Sequence, residues 1–142
     1  MTMIIDLEEK ASESGTFELK GGGKVHLRLL TGEDLKEIYK ATFAMVPEYV
    51  LLKDPATGKE KYQRFEGQKF NSDLFDAMKW DKAITGWDDL FDRNSKPIPV
   101  TKENKVLLMT SGKAPEFVTA VEDGLKALQE IDKAKTEAAA KN

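Results

Sequence analysis

The stretch from Thr16 to Leu30, TFELK-GGG-KVHLRLL, constrains this chain more than any other. Phe17, Leu19, Val25, Leu27 and Leu29 recur at every second position, with Glu18, Lys20, Lys24, His26 and Arg28 between them. That period of two belongs to strands with one face buried and one face wet. Gly21, Gly22 and Gly23 supply the positive φ angles that a tight reversal demands. A two-stranded hairpin cannot bury its apolar face by itself, so the rest of the chain has to provide a cover.

The cover is written in helical periods. Thr31 can cap a helix whose first turn carries Glu33 and Asp34, with Leu35, Ile38, Tyr39, Thr42, Phe43 and Val46 following and Pro47 ending it. A turn at Asp54-Pro-Ala-Thr-Gly58 suggests a second hairpin around residues 49–64. The spacing then predicts a helix from about Glu66 to Ile84, stopped by Gly86, and a short one after Thr101 that breaks at Ser111-Gly112. A last helix opens at Pro115 and carries Phe117, Val121, Leu125, Leu128 and Ile131 on one stripe, interrupted by Gly124. The fold class is therefore α+β and mainly helical: an N-terminal β-hairpin followed by about four helices. Residues 1–14 read as a flexible arm, 15–132 as one domain, and 133–142 as a charged, alanine-rich tail that frays or extends as a solvated helix.

Composition narrows the function. The 22 basic and 25 acidic residues are interspersed and leave a net charge of -3, so the positive field that nucleic acid requires is missing. No apolar run reaches the roughly 20 residues of a membrane span, and the N-terminus lacks the features of a signal peptide, so the expected location is the cytoplasm. The absence of cysteine removes disulfides, thiolate nucleophiles and cysteine-based zinc sites. His26 is the one histidine, and no carboxylate stands near it in sequence to orient the ring, so it reads as an exposed strand residue. The triple glycine lacks the G-x-G-x-x-G spacing of a dinucleotide site, and Gly58-Lys59 lacks the rest of a phosphate loop. Neither register of Asp88, Asp89, Asp92 and Asn94 fits a calcium loop. No catalytic, cofactor-binding or metal-binding residues are assigned.

Ile84 to Val100, ITGWDDLFDRNSKPIPV, reads as a shaped connector that is neither helix nor strand. Trp87 folds back onto the core and gives its indole N–H to a carbonyl, Asp92 to Ser95 form a polar turn, and Pro97 and Pro99 hold Ile98 and Val100 extended before Thr101 starts a helix.

The pattern of Ile84, Gly86, Trp87, Asp92, Pro97, Pro99, Val100, Thr101, Glu103 and Asn104, together with the opening hairpin and LRLLTGEDLKEIYKA, resembles the small tail assembly chaperones of tailed phages and prophages. Many relatives carry a glycine in the turn where this chain has Asn94-Ser95. The resemblance implies a non-enzymatic protein of the host cytoplasm that binds the tape-measure protein and tail-tube protein until the tube polymerises. Phe117, Val121, Leu125, Leu128 and Ile131, with a hairpin edge, are the candidate contact residues, against the competing and favoured reading that most of this stripe is buried in the chain's own core. It also implies a frameshift-extended form of the chain, which an A-rich coding of Ala140-Lys141-Asn142 would permit. Two alternatives stand beside it: a virion structural subunit, such as a head-tail connector or tail terminator, and a metal-dependent hydrolase using Asp88, Asp89 and Asp92.

Overall fold

The computed structural model describes residues 12–140, so most of the N-terminal arm and the last two residues lie outside it. Strands β1 (Ser14–Glu18) and β2 (Lys24–Arg28) form the expected hairpin, with Gly21, Gly22 and Gly23 at φ 96°, 106° and 91°. Ser14 belongs to β1 and Glu13 accepts from the Leu29 amide, so the hairpin itself starts before Gly15. Helix α1 (Gly32–Thr42) starts from a full capping box, in which Thr31 and Asp34 each accept the other's backbone N–H.

The structure departs from the sequence reading after Thr42. The helix expected to continue to Val46 stops, and the chain passes directly into β3 (Phe43–Lys53). β3 pairs with β4 (Glu60–Phe70) along its whole length, from Phe43 opposite Phe70 to Lys53 opposite Glu60. The second hairpin is thus real but longer than residues 49–64, and Glu66 to Phe70 are strand rather than helix. Helix α2 (Ser72–Ala83) begins only at its cap, Asn71, whose side chain accepts from the Leu74 amide. Gly86 does not stop it: Ile84 to Asp88 form β5, which joins the sheet beside β2 in the antiparallel order β1-β2-β5. Helix α3 (Lys102–Thr110) follows the Thr101 cap, and α4 (Pro115–Ala140) closes the chain.

The core lies between one face of the β1-β2-β5 sheet and α4. Leu19, Val25, Leu27, Ile84, Trp87, Phe117, Val121 and Leu128 are buried there. Helices α1, α2 and α3 pack side by side and complete the body. Along α4, residues after Asp132 remain helical and mostly exposed, and Lys135 Nζ reaches back to Glu13 at 2.7 Å. The buried Lys105 ammonium donates to the Asp81 carbonyl at 3.0 Å and to its carboxylate at 3.1 Å, so its charge has a partner.

Two positions carry testable consequences. A Cβ placed on Gly124 would sit 2.7 Å from Leu27 Cδ1 and 2.8 Å from Phe17 Cδ2, so the helix lies against the sheet at this point because no side chain separates them. Gly124→Ala raises helix propensity but forces these apolar neighbours apart, and a net loss of about 1–3 kcal/mol is expected in urea unfolding. Asp34 accepts from Arg28 at 2.7 and 3.3 Å and from the Thr31 amide at 2.8 Å. The Arg28 hydrogen bond, opposed by burial and helped by the Thr31 amide, holds its carboxyl well below the ordinary 3.8. Its stabilising effect is complete above that ordinary value and is lost as the pH falls through the lowered one. Asp34→Asn is expected to destabilise at pH 7 by about 1–3 kcal/mol, with the gap from the natural chain narrowing as the pH is taken below 3.8 in the same unfolding series.

Candidate functional site

The Ile84 to Val100 segment is a shaped connector from Asp89 onward and a core strand before it. Trp87 packs edge-on against Phe117, with ring centroids 5.9 Å apart, and its indole N–H donates to the Ile98 carbonyl at 2.8 Å. Asp92 closes the polar turn by accepting from the amides of Asn94 at 2.8 Å and Lys96 at 3.0 Å. Ser95 takes φ 59°, the left-handed conformation for which glycine is the easier residue. Pro97 sits opposite Phe91 in an isolated bridge, and the Ile98 amide donates to Leu90. Pro99 is tied to the next helix, because Asn104 Nδ2 donates to its carbonyl at 2.9 Å while Thr101 caps the Asn104 amide. Gly86 packs beneath the His26 ring, where a Cβ would find Cδ2 at 3.6 Å. Trp87→Phe keeps the ring against Phe117 but strands the Ile98 carbonyl. A loss of about 1–3 kcal/mol is expected, with faster amide exchange from Leu90 to Ile98 as the local readout.

The fold supplies His26 with the carboxylate that its local sequence lacks. Asp88, 62 residues away, places Oδ2 at 2.8 Å from Nε2, and Thr16 Oγ1 lies 2.8 Å from Nδ1. Hydroxyl, imidazole and carboxylate are in line, but they lie across neighbouring strands on the open face of the sheet, with the Asp88 side chain 60% exposed. Among the described residues, the clefts around Ile98, Glu18, Phe70 and Leu52 are lined by none of these three. Asp88 is engaged by His26 and Asp92 by its turn, so two of the three acids proposed for a hydrolase already have partners. Among the described residues, no group of three or more histidine, cysteine, aspartate or glutamate side chains is arranged to hold a metal ion.

The expected contact stripe on α4 is turned inward. Phe117, Val121 and Leu128 are 3%, 0% and 1% exposed, Leu125 is half-buried, and only Ile131 is open to solvent. Phe117, Val121 and Leu128 cover the sheet and cannot receive a partner without unfolding the core.

The exposed apolar surface lies elsewhere, on the β3–β4 arm. Nine large apolar side chains of the arm are exposed: Phe43, Met45, Tyr49, Val50, Leu51, Leu52, Tyr62, Phe65 and Phe70. Residues directly opposite in the ladder share a face, so Phe43, Met45, Tyr49, Leu51, Tyr62 and Phe70 lie on one side and Val50, Leu52 and Phe65 on the other. Among the described residues, the arm touches no other element closely apart from its root. At the root, Tyr39 of α1 and Phe75 of α2 gather around Phe43 and Phe70, with the latter two ring centroids 4.8 Å apart. A smaller cleft on the body, lined by Ile98, Pro99, Leu107 and Leu108, lies beside exposed Phe91 and Val100. A hairpin edge was among the contact surfaces expected from sequence, and DPATG marked where the arm turns; the arm's apolar residues were not named there, and the cleft was not expected.

No protein-family model matches the chain, and no curated protein or solved structure matches it either. Among the described residues, no helix is long and apolar enough to cross a membrane.

Proposed function

We propose that this chain is a non-enzymatic assembly chaperone of tailed-phage type, acting in the host cytoplasm and holding tape-measure or tail-tube protein through the β3–β4 arm. One observation carries the reading: a ribbon of two 11-residue strands presents apolar side chains to solvent on both faces. A contiguous exposed apolar surface on a small domain is the ordinary mark of a protein-interaction site. The interspersed Lys53, Lys61, Arg64 and Lys69 keep such a surface soluble while it waits for a client. An apolar client helix laid along the ribbon would bury these side chains without asking the body to rearrange, since no arm residue belongs to the core cluster.

The arm equally suits a ring-forming virion subunit, because among the described residues both of its strand edges are unpaired. A fixed large ring in the absence of any client would select that reading. The chaperone reading is tested by excising residues 44–69 and joining Phe43 to Phe70 through a short Gly-Ser turn. The body is expected to keep its melting transition, while co-expressed tape-measure protein is recovered insoluble, as in the absence of the chaperone. Undiminished solubility of the client with the arm-less variant would refute the assignment of the arm.

A further inference from the structure

The two edges of the arm are not equivalent. The ladder continues past both ends of the ribbon, with the Asp54 amide donating to Lys59 and the Asn71 amide to Thr42, each at 2.8 Å. In an antiparallel pair the hydrogen-bonded positions alternate, so even-numbered residues of β3 bond to odd-numbered residues of β4. The odd residues of β3 and the even residues of β4 therefore direct their N–H and C=O groups outward. Pro47 falls among the outward positions of β3 and has no N–H to offer, which blunts that edge. On β4 the outward positions Glu60, Tyr62, Arg64, Glu66, Gln68 and Phe70 are uninterrupted. The ribbon has one blunted edge and one uninterrupted edge.

We propose that two copies of this chain pair antiparallel through their β4 edges, giving a two-fold symmetric four-stranded sheet. One register pairs all 11 residues of β4, with Glu60 opposite Phe70 of the second copy. In it Arg64 faces Glu66 of the other copy twice, and Phe65 meets its own equivalent on the two-fold axis. Sliding by one ladder step in either direction sets Arg64 against Arg64 or Glu66 against Glu66. Opposite charges directly across a ladder stabilise it and like charges weaken it, so charge selects the full-length register. Lys61 faces Lys69 twice in this register, on the other side of the sheet, which offsets part of that gain, whereas the neighbouring registers carry a like-charge pair with no opposite-charge pair to set against it. A second copy also remedies the weakness of an isolated two-stranded ribbon, which is marginal in water until further strands are added. The pairing places the two bodies at opposite ends of a sheet roughly 35 Å long at about 3.4 Å per residue, so they do not collide. Met45, Tyr49, Leu51 and Tyr62 of both copies then share one face. This pairing does not depend on the chaperone reading, since it follows from the edge and its charges.

Sedimentation equilibrium on the full chain, with no client present, is expected to show a concentration-dependent dimer of twice 15.9 kDa. Arg64→Glu creates two Glu–Glu pairs and weakens the dimer about tenfold or more, whereas Arg64→Glu combined with Glu66→Arg restores it. The register has its own readout in this cysteine-free chain. Phe65 occupies a non-hydrogen-bonded pair, in which Cα atoms approach to about 4.5 Å, so Phe65→Cys is expected to cross-link to itself on mild oxidation. Met45→Cys, on the blunted strand, is the control that stays uncross-linked. Persistence as a monomer up to the solubility limit, a closed ring of higher order, or equal cross-linking of the two cysteine variants would each overturn the proposal. Unchanged circular dichroism of the variants separates loss of pairing from loss of folding, since the arm lies outside the core.

Discussion

The rest of the molecule depends on the contact between α4 and the inner face of the β1-β2-β5 sheet. Val25, Leu27 and Ile84 are fully buried under it, and Phe117, Val121 and Leu128 close over them from the helix. The contact is tight because Gly124 lets the helix backbone approach Leu27 and Phe17 directly. Trp87 extends the same core toward Phe117, and its indole N–H fixes the path of the chain at Ile98, which delivers Thr101 to the start of α3. Local shape in the connector is thus set by a side chain anchored in the core.

Around that body the chain divides its apolar residues between two tasks. Those of the sheet, Trp87 and the α4 stripe are turned inward, and those of the β3–β4 arm are turned outward. The arm leaves the body without a loop at either side: Thr42 ends α1 and Phe43 begins β3, while a single residue, Asn71, separates β4 from α2. Tyr39, Phe43, Phe70 and Phe75 pack across this junction, giving the ribbon a firm base.

Elements whose partners are close in sequence were legible, and those whose partners are distant were not. The β1–β2 hairpin, the Thr31 and Thr101 caps and the Pro115 start declare themselves within a few residues, and the structure contains each of them. Phe43 and Val46 continue the helical spacing of α1, so local pattern favoured helix; extended pairing with β4 is what prevails there. Both faces of the arm are wet, so its strands lack the apolar-polar alternation that identifies a half-buried strand. Ile84 to Asp88 look irregular because their partner, β2, lies some 60 positions earlier, and the same separation hid Asp88 from His26. The α4 stripe was read correctly as amphipathic, but amphipathicity does not say whether a face meets the chain's own sheet or a partner. Of the proposed contact residues, only Ile131 is open to solvent.

The arm also changes what the length of this chain means energetically. A globular chain of 142 residues ordinarily buries apolar surface along its whole length, and its heat capacity of unfolding and denaturant sensitivity scale accordingly. Here residues 43–70 contribute chain entropy and backbone hydrogen bonds but little burial, and β3 and β4 are exposed almost throughout. In a single copy the burial that drives cooperative unfolding is confined to the body, so the chain is expected to melt with the thermodynamics of a smaller protein. The ribbon is free to open and close locally beneath that transition.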